Sequence, residues 1–105
     1  MAARYGKRDT GCWIEDTGLV KRLIADDDDG ARHQRFVLEL PQRHTVLIAH
    51  NVDVAARIPA GIGDRLSFRG LYEWNERGGL VHWTHADPMG EQDGGWILFR
   101  RKRYR

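Results

Sequence analysis

The 105-residue chain is 41% hydrophobic and 30% charged, with 12 Gly, 4 Trp, 3 Pro and a net charge of +2, which excludes collagen, a coiled coil and a wholly disordered chain. This is one domain's length, and no apolar run approaches the ~18 residues of a membrane-spanning helix. The charge is split: residues 1–8 carry +3 (Arg4, Lys7, Arg8) and residues 100–105 carry +5, around a body at −6.

Residues 1–17 read as a basic, polar N-terminal segment, residues 18–99 as a single β-barrel domain and residues 100–105 as a basic tail. No basic start is followed by an apolar stretch of secretory type. The chain as written therefore points to the cytoplasm, with the periplasm or secretion as the alternative for a processed form. Cys12 is the only cysteine and cannot form an intrachain disulfide; it reads as a small, partly buried apolar group.

Period-2 alternation bounded by Gly, Pro, Asn and Asp predicts five or six strands. They are Leu19–Ala25, Arg32–Leu40, Thr45–Asn51, Arg65–Trp74 and Leu80–His85, with Trp96–Phe99 as the sixth. Asp26–Asp29 reads as a solvated acidic turn. Val52–Ile62 has room for one or two helical turns before Pro59. The fold predicted is all-β: a small antiparallel OB-like barrel or curled sheet of five to six strands, with at most one short helix, between Asn51 and Gly63.

Parity carries the reading to side chains. A four-residue turn Pro41–His44 pairs Leu40 with Thr45 and sets Arg35 opposite His50, with His33 on the same side. Phe36, Leu38 and Leu47 then share the apolar face. In the second hairpin, placing Tyr72 opposite Val81 sets Trp83 across Gly70 and groups Phe68, Tyr72, Trp74, Val81 and Trp83 on one face; a slip of one residue would put His82 there instead. Phe36, Leu38, Leu47, Phe68 and Trp83 are expected to be buried.

The segments Arg32-His33-Gln34-Arg35-Phe36, Leu47-Ile48-Ala49-His50-Asn51, Tyr72-Glu73-Trp74-Asn75 and His82-Trp83-Thr84-His85 occur in that order, followed by Asp87-Pro88, Gly90 and Gly95-Trp96-Ile97. Over Gly18 to Tyr104 they resemble a small uncharacterised bacterial family, a domain of unknown function. The resemblance implies homology and brings no activity with it. Its members' frequent secretory leader is not visible here, and Gln92 stands where a further histidine is expected.

Three groups of residues could carry chemistry. His33, Arg35 and His50, with Asn51 beside them, form a candidate anion site, since arginine supplies a forked donor and histidine a titratable one. The plainer reading is a solvated polar patch. His82, His85 and Asp87 are a candidate divalent metal site, zinc by ligand type, provided the strand bulges near Thr84. Hydrogen bonding to nearby backbone is the plainer reading there, and no cofactor is required. Arg100, Arg101, Lys102, Arg103 and Arg105 could grip phosphates without sequence preference.

The leading functional reading is a non-enzymatic OB-like module for single-stranded nucleic acid or another anionic ligand. The alternatives are a metal-dependent phosphodiester hydrolase and a protein-interaction domain that self-associates through a strand edge. No membrane role is expected.

Overall fold

The computed structural model describes residues 5–105, so Arg4 lies outside it. Seven strands form, rather than five or six: β1 (Trp13–Asp27), β2 (His33–Glu39), β3 (Thr45–Asn51), β4 (Arg65–Glu73), β5 (Leu80–His82), β6 (Trp96–Phe99) and β7 (Lys102–Tyr104). The only helical pieces among the described residues are the single 3₁₀ turns Lys7–Asp9 and Pro41–Arg43. Among the described residues no helix is long and apolar enough to cross a membrane.

Five strands close a ring in the order β1-β2-β3-β5-β4 and back to β1. All of its pairings are antiparallel except that of β3 with β5. β1 makes closure possible because it is long and serves two neighbours. Its first half, Trp13–Leu19, pairs with β4, and Leu19–Asp27 pairs with β2 across two register shifts. Such irregularities bend a strand and increase its twist. At the changeover, a Cβ on Gly18 would lie 2.7 Å from the Glu39 carbonyl oxygen, so only glycine lets β1 cross there.

β5 and β6 lie end to end along one edge of β4, opposite Leu71–Glu73 and Ser67–Arg69. The chain leaves β4 between them. Trp83 takes a left-handed backbone (φ 56°), which ends β5 at His82 instead of His85. That conformation is costly for a bulky residue. Tyr72 pairs with Val81, the first of the two registers considered, but Trp83 does not cover Gly70. Val81, the His82 carbonyl and Thr84 crowd that glycine instead.

The core fills the ring from alternate positions of each strand: Phe36 and Leu38 from β2, Val46 and Ile48 from β3, Phe68 and Tyr72 from β4, Val81, Ile97 and Tyr104 from the rest. Phe36, Leu38 and Phe68 are buried as expected, whereas Leu47, Trp74 and Trp83 are only half-buried. No helix forms between Asn51 and Gly63. That segment runs without regular structure and inserts Ile58, 1% exposed, into the core. Gln34 holds it at two points: its amide donates to the Ile58 carbonyl, and the Ile58 N–H donates to its Oε1, both at 2.8 Å. This buried side chain takes over the backbone hydrogen bonding that a helix would have supplied.

Neither residues 5–17 nor residues 100–105 are a loose appendage. Trp13–Thr17 is paired sheet, and Tyr5 stacks on His44 while its hydroxyl donates to Asp16. Cys12 is exposed rather than partly buried. At the other end Lys102–Tyr104 pairs with β6, Tyr104 enters the core, and β7 leaves one strand edge open. The two-residue turn Arg100-Arg101 has positive φ at both positions (50° and 69°). Hairpin turns of that shape favour Asn-Gly. Replacing the pair by Asn-Gly should raise stability by about 1–2 kcal/mol, measured by urea denaturation. An unchanged midpoint would refute the strain at this turn.

Candidate functional site

The candidate anion site on β2 and β3 does not assemble, because the hairpin pairs one residue out of the expected register. Leu40 belongs to the turn, closed by its N–H donating to the His44 carbonyl at 2.7 Å. The loop is therefore the three residues Pro41–Arg43, with Arg43 left-handed at φ 63°. Three-residue hairpin loops place such a residue last. Gln34, not Arg35, faces His50, and a one-residue shift moves every side chain to the opposite face.

His50 is accordingly in the core, fully buried. Its Nε2 lies 2.9 Å from the Ala56 carbonyl and its Nδ1 lies 2.7 Å from the Thr84 hydroxyl. A carbonyl only accepts, so Nε2 carries the proton and Nδ1 accepts from Thr84. Burial pushes the His50 pKa below its ordinary value, and the neighbouring His85 and His33 add to that effect.

His33, Arg35 and Asn51 remain on the outer face, each tied to backbone close by. His33 Nδ1 donates to Ala31 at 2.9 Å, Arg35 Nε to Ala25 at 2.9 Å, and Asn51 accepts from the Asp53 N–H at 2.9 Å. The adjacent acidic turn is ion-paired. Asp26 meets Arg57, with Arg32 at 3.8 Å, and Asp28 meets Arg32 at 2.7 Å. The Arg57 guanidinium holds the Asp26 carboxyl below the usual carboxylate range. This end of the ring offers a polyanion little unpaired positive charge.

His82, His85 and Asp87 do not converge either. His82 Nε2 pairs with Glu73 at 2.7 Å; His85 stacks on Trp83, and its Nδ1 donates to the Ala86 carbonyl. The Asp87 carboxylate accepts from the N–H groups of Met89, Glu91 and Gln92, closing the loop. Among the described residues no three metal-ligating side chains are gathered.

The residues that do come together include some that sequence reasoning missed. An open groove of about 400 Å³ is lined by Arg69, Trp96, Arg103, Arg105, Glu15 and Asp93, with Gly94 at its wall. β4 brings Arg69 beside Glu15 of β1, and β6 and β7 bring Trp96 and Arg103. The Arg69 guanidinium lies 4.7 Å over Trp13 and donates to the Gly94 carbonyl at 3.0 Å and to Glu15 at 3.2 Å. Arg103 lies 4.7 Å over the Trp96 ring. Among the described residues Arg103 and Arg105 are in no ion pair, and with three arginines against Glu15 and Asp93 the lining carries one net positive charge. The alternation of Trp13, Glu15 and Thr17 was the signal that could have extended β1 and placed Glu15 here.

Of the predicted tail cations, Arg103 and Arg105 line this groove. Arg100 reaches toward Asp64 at 3.8 Å, and Lys102 lies 4.9 Å over Tyr104. Arg101 is exposed at the hairpin tip. No curated protein and no solved structure matches the chain. The family described as a protein of unknown function (DUF3465) matches residues 1–105, and the chain belongs to it.

Proposed function

We propose that the protein is a non-enzymatic binding module of the OB type, and that it holds single-stranded nucleic acid or a comparable polyanion along the groove beside β4, β6 and β7. The observation that carries this reading is the meeting of Arg69, Arg103 and Arg105 with the Trp96 indole on one open surface. Guanidinium groups grip phosphates as forked donors, and an indole offers a face on which an unpaired base can stack. Guanidinium groups also stay protonated, which suits holding rather than proton transfer. The ring order, with β3 and β5 parallel, supports the OB comparison. OB barrels commonly bind across strands two and three; here that end carries Asp26–Asp29, which favours the arginine groove as the track.

The test is fluorescence titration of a short single-stranded oligonucleotide at several salt concentrations. Arg103→Ala should weaken binding about tenfold and lower the salt slope by about one, as expected for one lost phosphate contact. Deleting residues 100–105 would be a poor test, because it strips β7 and removes Tyr104 from the core. Absence of saturable binding, or the same affinity and slope in Arg103→Ala, would overturn the proposal.

A further inference from the structure

A second hollow lies at the bend of β1, apart from the arginine groove. It has a volume of about 300 Å³, at the small end of ligand sites, and is lined by Thr17, Leu19, Leu40, Pro41, Arg43 and Arg65, with Glu39 at its edge. Its composition is two-sided. Leu19 is 41% exposed, and with Leu40 and Pro41 it forms an apolar wall. Arg43 and Arg65 are both exposed, and among the described residues neither is in an ion pair. The one carboxylate of the lining, Glu39, is compensated by Lys21 at 3.9 Å. Thr17 adds a hydroxyl, 2.7 Å from that of Ser67.

Backbone conformation explains how Arg43 comes to line the hollow. Arg43 occupies the left-handed position of its hairpin loop, where glycine or asparagine is the favourable residue. The left-handed turn at Arg43 brings its side chain to the hollow that Arg65 also lines. Gly18 forms the floor and has no room for a side chain, since Glu39 and Leu40 already pack against it.

We propose that this hollow is a binding site for a small organic anion with an apolar body, its charged group held between Arg43 and Arg65 and its body against Leu19, Leu40 and Pro41. The class is that of a short-chain carboxylate. The proposal does not depend on the arginine groove, because no residue is shared between the two linings.

The experiment follows backbone amide shifts of the full chain during titration with hexanoate, hexanamide and inorganic phosphate. Hexanoate should give saturable shifts at Thr17, Leu19 and Leu40, with hexanamide and phosphate each at least fivefold weaker. Arg65→Ala alters an exposed side chain, so the fold should persist while hexanoate binding falls at least fivefold. Arg43→Gly should likewise weaken hexanoate and at the same time raise the melting temperature, a combination that a merely structural arginine would not produce. Absence of saturable shifts, equal binding of hexanamide and hexanoate, or unchanged binding in both variants would overturn the site. Phosphate binding as tightly as hexanoate would overturn the assignment of an apolar body.

Discussion

Replacing His50 by alanine should destabilise the protein by about 4 kcal/mol, a large share of the ~5–15 kcal/mol that holds a domain of this size together. Three losses combine. A fully buried side chain disappears from the core and leaves a cavity. The Thr84 hydroxyl loses its acceptor, and the Ala56 carbonyl loses its donor. Thr84 is buried, and a buried polar group left unpaired costs about 1–3 kcal/mol, whereas Ala56 is exposed and water can replace its donor. His50→Gln should cost less, because its amide can still donate toward Ala56. The same residue sets a pH dependence. Its folded-state pKa lies below the ordinary value of 6.5. Near pH 7.5 both folded and unfolded states hold it neutral, and it contributes no slope. As pH falls through 6.5 the unfolded chain binds the proton first, so stability decreases, by at most about 1.4 kcal/mol per pH unit from one group. Urea denaturation between pH 7.5 and 5.5 measures this, and His50→Gln should remove that part of the slope. A loss under about 1 kcal/mol in His50→Ala, or the same slope in wild type and His50→Gln, would refute the buried neutral histidine.

Gly95→Ala should cost about 3 kcal/mol or more, enough to lower the yield of folded protein sharply. A Cβ there would overlap the carbonyl oxygens of Trp83 and Arg69 and lie 3.0 Å from the Thr84 Cα. All three obstacles are backbone, so no rotamer change relieves the clash. β6 would have to move away from β4, opening the pairing of Phe68 with Ile97 in the core and shifting Trp96 and Arg103 together. Gly90→Ala is the control. Gly90 has φ 70° but nothing within 4 Å of its Cβ position, so that change should cost only about 1 kcal/mol. Thermal denaturation of the two variants separates crowding from backbone preference. Similar midpoints would mean that Gly95 is not sterically required.

The groove was only partly legible in the sequence. Arg103 and Arg105 stood out as cations, and Trp96 as an aromatic of uncertain placement. Arg69 and Glu15 sit in strands as ordinary polar alternates, and nothing local distinguishes them. They become partners because β1 and β4 pair in one register, placing them directly opposite each other from 54 positions apart in sequence. The tail looked like a solvated terminus because charge dominates its composition. Tyr104 is what anchors it, and one aromatic among five cations is a weak periodic signal.

Alternation by itself determined the all-β class, the strands β2, β3, β4 and β6 to within two residues, and the inward set Phe36, Leu38 and Phe68, because a strand with one face in the core must repeat every two residues. The pairing of Tyr72 with Val81 was one of two registers that alternation left open, and the structure adopts it. Tertiary structure decided the rest. The loop of three residues rather than four rests on Arg43 adopting a left-handed backbone, which no glycine or asparagine announced, and that single residue of register carried His50 from the proposed site into the core. Ring closure decided the groove, since a strand's own sequence specifies which face is apolar but not which distant strand will lie beside it.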